Sequence, residues 1–195
     1  MMDDYKIFNI LDMAEAVGET GIKELLSDFY CPKNENIRHF VKNNAYEFAR
    51  KKLSVTYLVV DKDCYITAIF TLAHKAVEIG DANLSNAKRR KLIRYAVSDD
   101  KSGSYMVSAF LIAQFGKNYA PTVRRQICGD ELMDLAFEVL EKVQHDIGGG
   151  IVFLECEDKP KLLEFYKNGK NIFIPFDERY SLSDHTKYIQ LFNFF

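Results

Sequence analysis

The segment "MVSAFLIAQFGKNYAPTVRRQICGDELMDLAFEVLEKVQH", residues 106–145, changes its periodicity midway. It opens as an apolar run ending in Gly116, the texture of a buried strand. It closes with Leu132, Met133, Ala136, Val139, Leu140 and Val143 at three- and four-residue steps, the texture of a helix with one apolar face. Between the two lie Arg124, Arg125, Gln126 and a lone glycine, Gly129. A strand that passes into an amphipathic helix through a polar loop restricts the chain to folds in which helices pack on a sheet. It also sets a helix N-terminus, with unpaired amides and the positive end of the dipole, beside two cations, and such joints hold anions.

The remaining segments fit that architecture. A short strand is expected over residues 4–9 and a helix from Leu11 to Leu26. "NENIRHFVKNNAYEFARKK" reads as one helix, capped by Asn34 and burying Ile37, Phe40, Val41, Ala45, Phe48 and Ala49. "SVTYLVVDKDCYITAIFTLAHKAVEI" is β-branched and aromatic with turn residues Asp61-Lys62-Asp63 inside it, which predicts an antiparallel hairpin. "GDANLSNAKRRKLIRYAVSDDKSGS" is polar and predicts a short basic helix between loops. A strand follows from Tyr105 to Phe115, then a helix from Gly129 to His145 ended by the glycines of "DIGGG". "IVFLECE" is a buried strand and "DKPKLLEFYKNG" a short helix with Pro160 in its first turn, while "NIFIPF" and "KYIQLFNFF" supply closing strands. The order gives an α/β (α+β) protein with a mixed, mostly antiparallel sheet flanked by helices.

At 195 residues the chain suits one substantial domain, expected over 1–195. Its 48% hydrophobic and 28% charged residues are ordinary globular usage, which excludes disorder and fibrous repeats. The net charge of −2 supplies no overall attraction to nucleic acid or anionic membrane, so any such contact is local. Lys88, Arg89, Arg90, Lys91 and Arg94 form the only dense positive cluster; a run of this kind is ordinarily the solvated face of a helix. Cys31, Cys64, Cys128 and Cys156 lack any C-x-x-C pairing or histidine at metal-finger spacing, so reduced thiols and no metal are expected. His39, His74, His145 and His185 carry no motif and read as structural or exposed. The acidic start "MMDDYKIFNILDMAEAV" lacks the basic n-region of a secretory signal, and no apolar run approaches the roughly 20 residues of a membrane helix. A cytoplasmic location is expected.

The strand, the loop with Arg or Gln at its start and glycine at its end, the amphipathic helix, the buried strand, and the helix containing Phe165-Tyr166 before Gly169 together resemble the GCN5-related N-acetyltransferase superfamily. In that family the loop follows Arg/Gln-x-x-Gly-x-Gly/Ala and its amides hold the pyrophosphate of acetyl-coenzyme A. Two registers are open. With Arg124 first, Gly129 takes the last glycine position and Leu132-Met133 the paired apolar positions, but Ile127 stands where the first glycine belongs. With Gln126 first, Gly129 takes the first glycine position and Glu131 stands at the small one. The former keeps the helix in register. The resemblance implies that Arg124, Arg125, Gln126, Ile127, Cys128, Gly129 and Asp130 hold acetyl-coenzyme A as co-substrate. It implies further that the backbone of Phe110, Leu111, Ile112, Ala113 and Gln114 contacts the pantetheine arm through a bulge.

The resemblance also implies that Tyr166, one position closer to its glycine than is usual, protonates the departing thiolate. The ordinary alternative is a core tyrosine bonded to backbone. Glu155 and Glu157 are candidates for a base acting through water, against the plainer reading that they are solvated or paired with lysine; no base is identified.

A narrower likeness covers the N-terminal half. Phe29, Cys31, Ile37, Phe40, Ala45, Thr56-Tyr57-Leu58-Val59 and Phe70-Thr71-Leu72-Ala73 resemble the subgroup that includes toxins of toxin–antitoxin pairs. Those toxins acetylate the amino group of aminoacyl-tRNA and are silenced by a small DNA-binding antitoxin. The implied partners are therefore an amine substrate, tRNA reached through the basic cluster with Arg124, Arg125, Lys51 and Lys52, and an antitoxin. A relative that acetylates a small amine or a protein amino group fits the same residues, as does a non-catalytic coenzyme A or partner-binding protein. A nucleic-acid-binding module is a third class. The apolar end "LFNFF" makes a second copy of the chain a further candidate partner.

Overall fold

A computed structural model describes residues 4–80, 84–99 and 103–195. The elements in chain order are β1 (Tyr5–Asn9), α1 (Ile10–Ser27), α2 (Glu35–Asn43), α3 (Ala45–Arg50), β2 (Val55–Asp61), β3 (Ile66–Gly80), α4 (Asn86–Leu92), β4 (Ala96–Asp99), β5 (Ser104–Lys117), α5 (Gly129–Ile147), β6 (Ile151–Glu157), α6 (Pro160–Lys167), β7 (Ile174–Ser181) and β8 (Thr186–Phe194). Among the described residues the strands form one mixed eight-stranded sheet in the order β1-β2-β3-β5-β6-β8-β7, with β4 paired to β5. The pairs β1–β2, β2–β3, β4–β5, β6–β8 and β7–β8 are antiparallel. β5 and β6 are neighbours joined through α5, the helical crossover that a parallel pair requires. This is the helix-flanked sheet expected from the sequence.

The chain contributes to two compact units: residues 4–73 with 112–136, and residues 74–111 with 137–195. In the first, α1 and α3 pack on β2, and the core gathers Ile10, Ile22, Leu26, Phe29, Val41, Leu58 and Ile69. Asn9 caps α1 by accepting the Leu11 amide at 2.9 Å, and Asn34 caps α2 by accepting the Ile37 amide at 3.1 Å. The single helix expected after Asn34 is two helices joined at Asn44, and Phe48, expected inside, is 37% exposed. Its ring meets Phe40 edge-on instead. α1 contains a break at Gly18, whose φ of 78° is open to glycine. The β2–β3 turn is tied by Asp61 Oδ1, which accepts the amides of Asp63 and Tyr65 at 3.0 and 2.9 Å. Gly116 lets α2 approach β5, since a Cβ there would lie 2.9 Å from Ile37 Cγ2.

In the second unit the core gathers Val77, Ile79, Leu92, Val107, Phe153, Phe176 and Phe192. Ser85 caps the basic helix α4. The expected loop beyond it contains β4, which pairs Ala96 and Val97 with Val107 and Met106. Residues 81–83, expected as loop before α4, and 100–102, expected as loop beyond it, lie outside the described residues. β7 begins later than "NIFIPF" suggests. Asn171 and Phe173 are drawn instead to the C-terminal end of α6, where Asn171 Nδ2 donates to the Phe165 carbonyl at 2.8 Å and the Phe173 amide to that of Tyr166 at 2.9 Å. The last carbonyls of a helix need donors, and that need overrides the β-propensity of the segment. "LFNFF", a candidate contact for a second copy, packs in its own chain: Leu191 and Phe192 are buried and the Phe195 ring meets Phe110 and Phe137. Among the described residues no helix is long and apolar enough to cross a membrane.

Candidate functional site

The loop between β5 and α5 is anchored by a residue that belongs to none of the sequence motifs. Asn118, buried just beyond β5, accepts the amides of Tyr30 and Ala120 on its Oδ1 at 2.9 and 3.0 Å, and its Nδ2 donates to the Ile66 carbonyl at 2.7 Å. Its own amide donates to the Thr67 carbonyl at 2.8 Å, and its carbonyl accepts Gln126 Nε2 at 2.8 Å. One asparagine thus ties β3, the segment after α1 and both ends of the loop. A polar residue at the end of an apolar strand was the available signal, but nothing in the sequence says which backbone groups it satisfies.

Ala120, Val123 and Ile127 turn inward and are buried, so Ile127, standing at a glycine position of the resembled motif, serves as an apolar anchor beneath the loop. Arg124 is exposed and makes no ion pair with a described residue. Arg125 is committed to Asp4 at 2.8 Å, and the same carboxylate pairs with Lys62. The Lys62 and Arg125 hydrogen bonds hold the Asp4 carboxyl below its ordinary range. Of the two arginines, then, Arg124 is the cation available to a ligand.

At the start of α5 the Cys128 amide donates to Glu131 Oε2 at 3.0 Å, and the Glu131 amide donates to Cys128 Sγ at 3.3 Å. This is a reciprocal cap with cysteine in the place of serine or threonine. The Cys128 amide also draws the Glu131 carboxyl below its usual range. Gly129 and Asp130 open the helix, and Leu132 and Met133 are buried on its inner face. The end of β5 presents Ile112 buried, Ala113 exposed and Gln114 half-buried in this unit.

In the other unit Phe110 is buried, its ring against His74, Phe195 and Gly149. Gly149 has φ 108° and a Cβ there would sit 2.7 Å from the Phe110 ring, so both backbone and space demand glycine. Leu111 beside it is half-buried. Tyr166 lies in α6 at 7% exposure, edge-on to Phe165 and Phe173. No described hydrogen bond reaches its hydroxyl. Burial, with Cys156 adding to it, pushes its ionisation well above the ordinary phenol range, and burial likewise pushes the Cys156 thiol up to about 12.

Glu155 is not a free carboxylate. It accepts Arg179 at 2.7 Å and Gln190 at 2.6 Å, while Glu157 pairs with Lys159. Glu157 is thus paired with a lysine, as in the plainer reading, whereas the partners of Glu155 are an arginine and a glutamine. The histidines are equally unassuming: His74 is bonded to Ser108 at 3.0 Å, His145 pairs with Asp146, and His39 and His185 are exposed. On α4, Lys88, Arg90 and Lys91 are exposed, with Lys91 over the Phe194 ring at 4.4 Å, and Arg94 beyond its end is exposed too. Among the described residues no His, Cys, Asp and Glu side chains gather in a group able to hold a metal ion.

This architecture, a helix-flanked mixed sheet, is a GCN5-related N-acetyltransferase-like fold. Among solved structures the chain is similar to AtaT complexed with acetyl-methionyl-tRNAfMet, at TM-score 0.65 and 18% identity over 97% of this chain and 94% of that one. It is similar to a tyrosine-to-phenylalanine mutant of KacT at TM-score 0.65 and 16% identity, over 98% and 95% of the two chains. AtaTR bound with AcCoA matches at TM-score 0.60 and 16% identity, over 98% and 94%. No protein-family profile and no curated protein sequence matches the chain.

Proposed function

We propose that this protein is an acetyl-coenzyme A dependent N-acetyltransferase that transfers acetyl to a primary amine by direct attack. The observation that carries this reading is the joint of β5 and α5: an exposed Arg124 that pairs with no described residue, followed by a helix N-terminus whose Cys128 amide already donates to a carboxylate. A group of the same charge, a diphosphate, suits that position. In this reading the amides from Arg125 through Asp130, with Gly129 at the close approach, hold the diphosphate, and Arg124 neutralises it. The backbone of Phe110, Leu111, Ile112, Ala113 and Gln114 receives the pantetheine arm and polarises the thioester carbonyl.

The chemistry asked of side chains is modest, because holding the two reactants together supplies most of the acceleration. The amine nitrogen attacks the acetyl carbon, the carbon–sulfur bond breaks, and the Tyr166 hydroxyl gives its proton to the sulfur. A phenol raised by burial keeps that proton at neutral pH until a stronger base, the departing thiolate, is formed. The proton lost by the amine balances the one that Tyr166 gives up.

For the acceptor, the cations of α4 and the likeness to an AtaT structure holding acetyl-methionyl-tRNAfMet favour the amino group of an aminoacyl-tRNA, hence a toxin-type enzyme with a small antitoxin partner. A further AtaT structure, with the toxin bound to the C-terminus of antitoxin AtaR and acetyl-CoA, supports the partner assignment. A small amine or a protein amino group remains the competing substrate class. A non-catalytic coenzyme-binding protein is the rival reading, favoured by Ile127 in place of glycine and by Glu131 on the loop amide. Thermal-shift titration with acetyl-coenzyme A, followed by free-thiol release against charged tRNA and an amine panel, separates these. Stabilisation and thiol release with charged tRNA support the toxin-type enzyme, stabilisation without release on any acceptor supports the rival, and no stabilisation overturns both.

A further inference from the structure

Glu131 is half-buried in the first turn of α5, where a glutamate side chain is free to extend into water. It turns back instead and accepts the amide of Cys128, the residue immediately before the helix, at 3.0 Å. The reciprocal bond from its own amide to Cys128 Sγ closes the ring. The carboxylate therefore occupies the spot at which the dipole and the outermost loop amide concentrate positive potential. Of the two nearby arginines, one is already bound to Asp4. A second anion arriving at this joint meets a charge of its own sign on the donor it needs.

We infer that Glu131 is an internal competitor for the anion of the coenzyme, a latch that must leave the Cys128 amide before a diphosphate can take its place. The inference rests on reading this loop as the diphosphate site. Its consequence is thermodynamic: the loop is competent only when the side chain has swung out, so the observed affinity is the intrinsic one reduced by the fraction of open loops. Return of the carboxylate to the amide also favours departure of spent coenzyme A, and product release is the step that limits many well-evolved enzymes. The Cys128 Sγ bond keeps the first turn of α5 partly held while the carboxylate is away.

Calorimetric titration of the full chain with coenzyme A tests this on the original protein and on Glu131→Gln, Glu131→Ala and, as a control for net charge, Glu138→Gln, which lies farther along α5 paired with Lys142. The expected result is coenzyme A bound about tenfold more tightly by Glu131→Ala, the size of a lost side-chain cap, with Glu131→Gln between and Glu138→Gln within about twofold of the original. The ligand-free Glu131→Ala protein is expected to melt at lower temperature, so tighter binding by a less stable protein would set the latch apart from a general gain in folding. Equal or weaker binding by both Glu131 variants, or an equal gain from Glu138→Gln, overturns the latch and leaves the diphosphate reading standing. No binding by any of the four proteins overturns the diphosphate reading, and the latch with it.

Discussion

Gln126 Nε2 donates to the main-chain carbonyl of Asn118 at 2.8 Å, closing the loop between β5 and α5 on itself. Asn118 in turn holds the Tyr30 and Ala120 amides and the Ile66 carbonyl with its side chain. The loop proposed to carry the coenzyme is thus shaped by a buried amide side chain, and its glycine comes only where the loop gives way to α5.

Asn118→Ala leaves two amides and a carbonyl without partners, and one buried unsatisfied group costs about 1–3 kcal/mol. Urea unfolding is expected to show a loss of about 3 kcal/mol, with the slope unchanged. Gln126→Ala, at an exposed position, is expected to cost under about 1 kcal/mol while weakening acetyl-coenzyme A binding. A loss of stability from Gln126→Ala as large as that from Asn118→Ala would contradict this division of roles.

Tyr166→Phe removes a hydroxyl with no described hydrogen bond and keeps the ring against Phe165 and Phe173. The melting temperature is expected to hold, and coenzyme affinity with it, while turnover falls by about a hundredfold or more, the usual worth of a positioned general acid. Single-turnover assay beside a thermal melt measures both. Unchanged turnover would remove Tyr166 from the chemistry.

Tyr5 also carries a buried hydroxyl, with no partner among the described residues. Burial raises its ionisation, and Arg125 and Glu131 are among the charges it senses. Replacing it by phenylalanine relieves an unsatisfied polar group at almost constant volume, so Tyr5→Phe is expected to stabilise the protein by about 1 kcal/mol in chemical denaturation. A destabilised variant would reveal a partner for that hydroxyl.

Stability is expected to fall in acid partly through Glu155. Burial alone would raise its carboxyl, but hydrogen bonds from Arg179 and Gln190 outweigh that and leave it below the free value of 4.5. A carboxyl depressed on folding contributes stability that is present above the free value and lost as pH falls through the folded one. Glu155→Gln is therefore expected to be less stable at pH 7 and to show a shallower decline below about pH 4.5 than the original, followed by urea unfolding across pH. Asp4 and Glu131 share the sign, but their exposure to solvent makes their part small. On the alkaline side Tyr166 and Cys156 are raised, so stability declines as pH climbs past the free thiol and phenol values of 9.0 and 10.0, where the unfolded chain ionises first.

Local chemistry was legible wherever it acts within a few residues. The cap at Asn34, the Asp61 turn, Pro160 at the start of α6 and the glycines after α5 answer to hydrogen bonds or dihedral limits that neighbours in sequence satisfy. The break at Asn44 and the late start of β7 escaped it. Apolar periodicity ran straight through the first, and the second depends on the unpaired carbonyls of α6.

By itself, then, the sequence determined most of the elements, their order and the strand–loop–helix joint that any anion site would use, because periodicity and turn chemistry are properties of short windows. Only the tertiary structure decided how that joint is furnished: Arg125 given to Asp4, Gln126 to Asn118, Glu155 to Arg179, and Tyr166 sunk among aromatic rings. Those partners lie up to 121 residues apart, and a charge or a buried hydroxyl takes its character from whatever folding brings beside it.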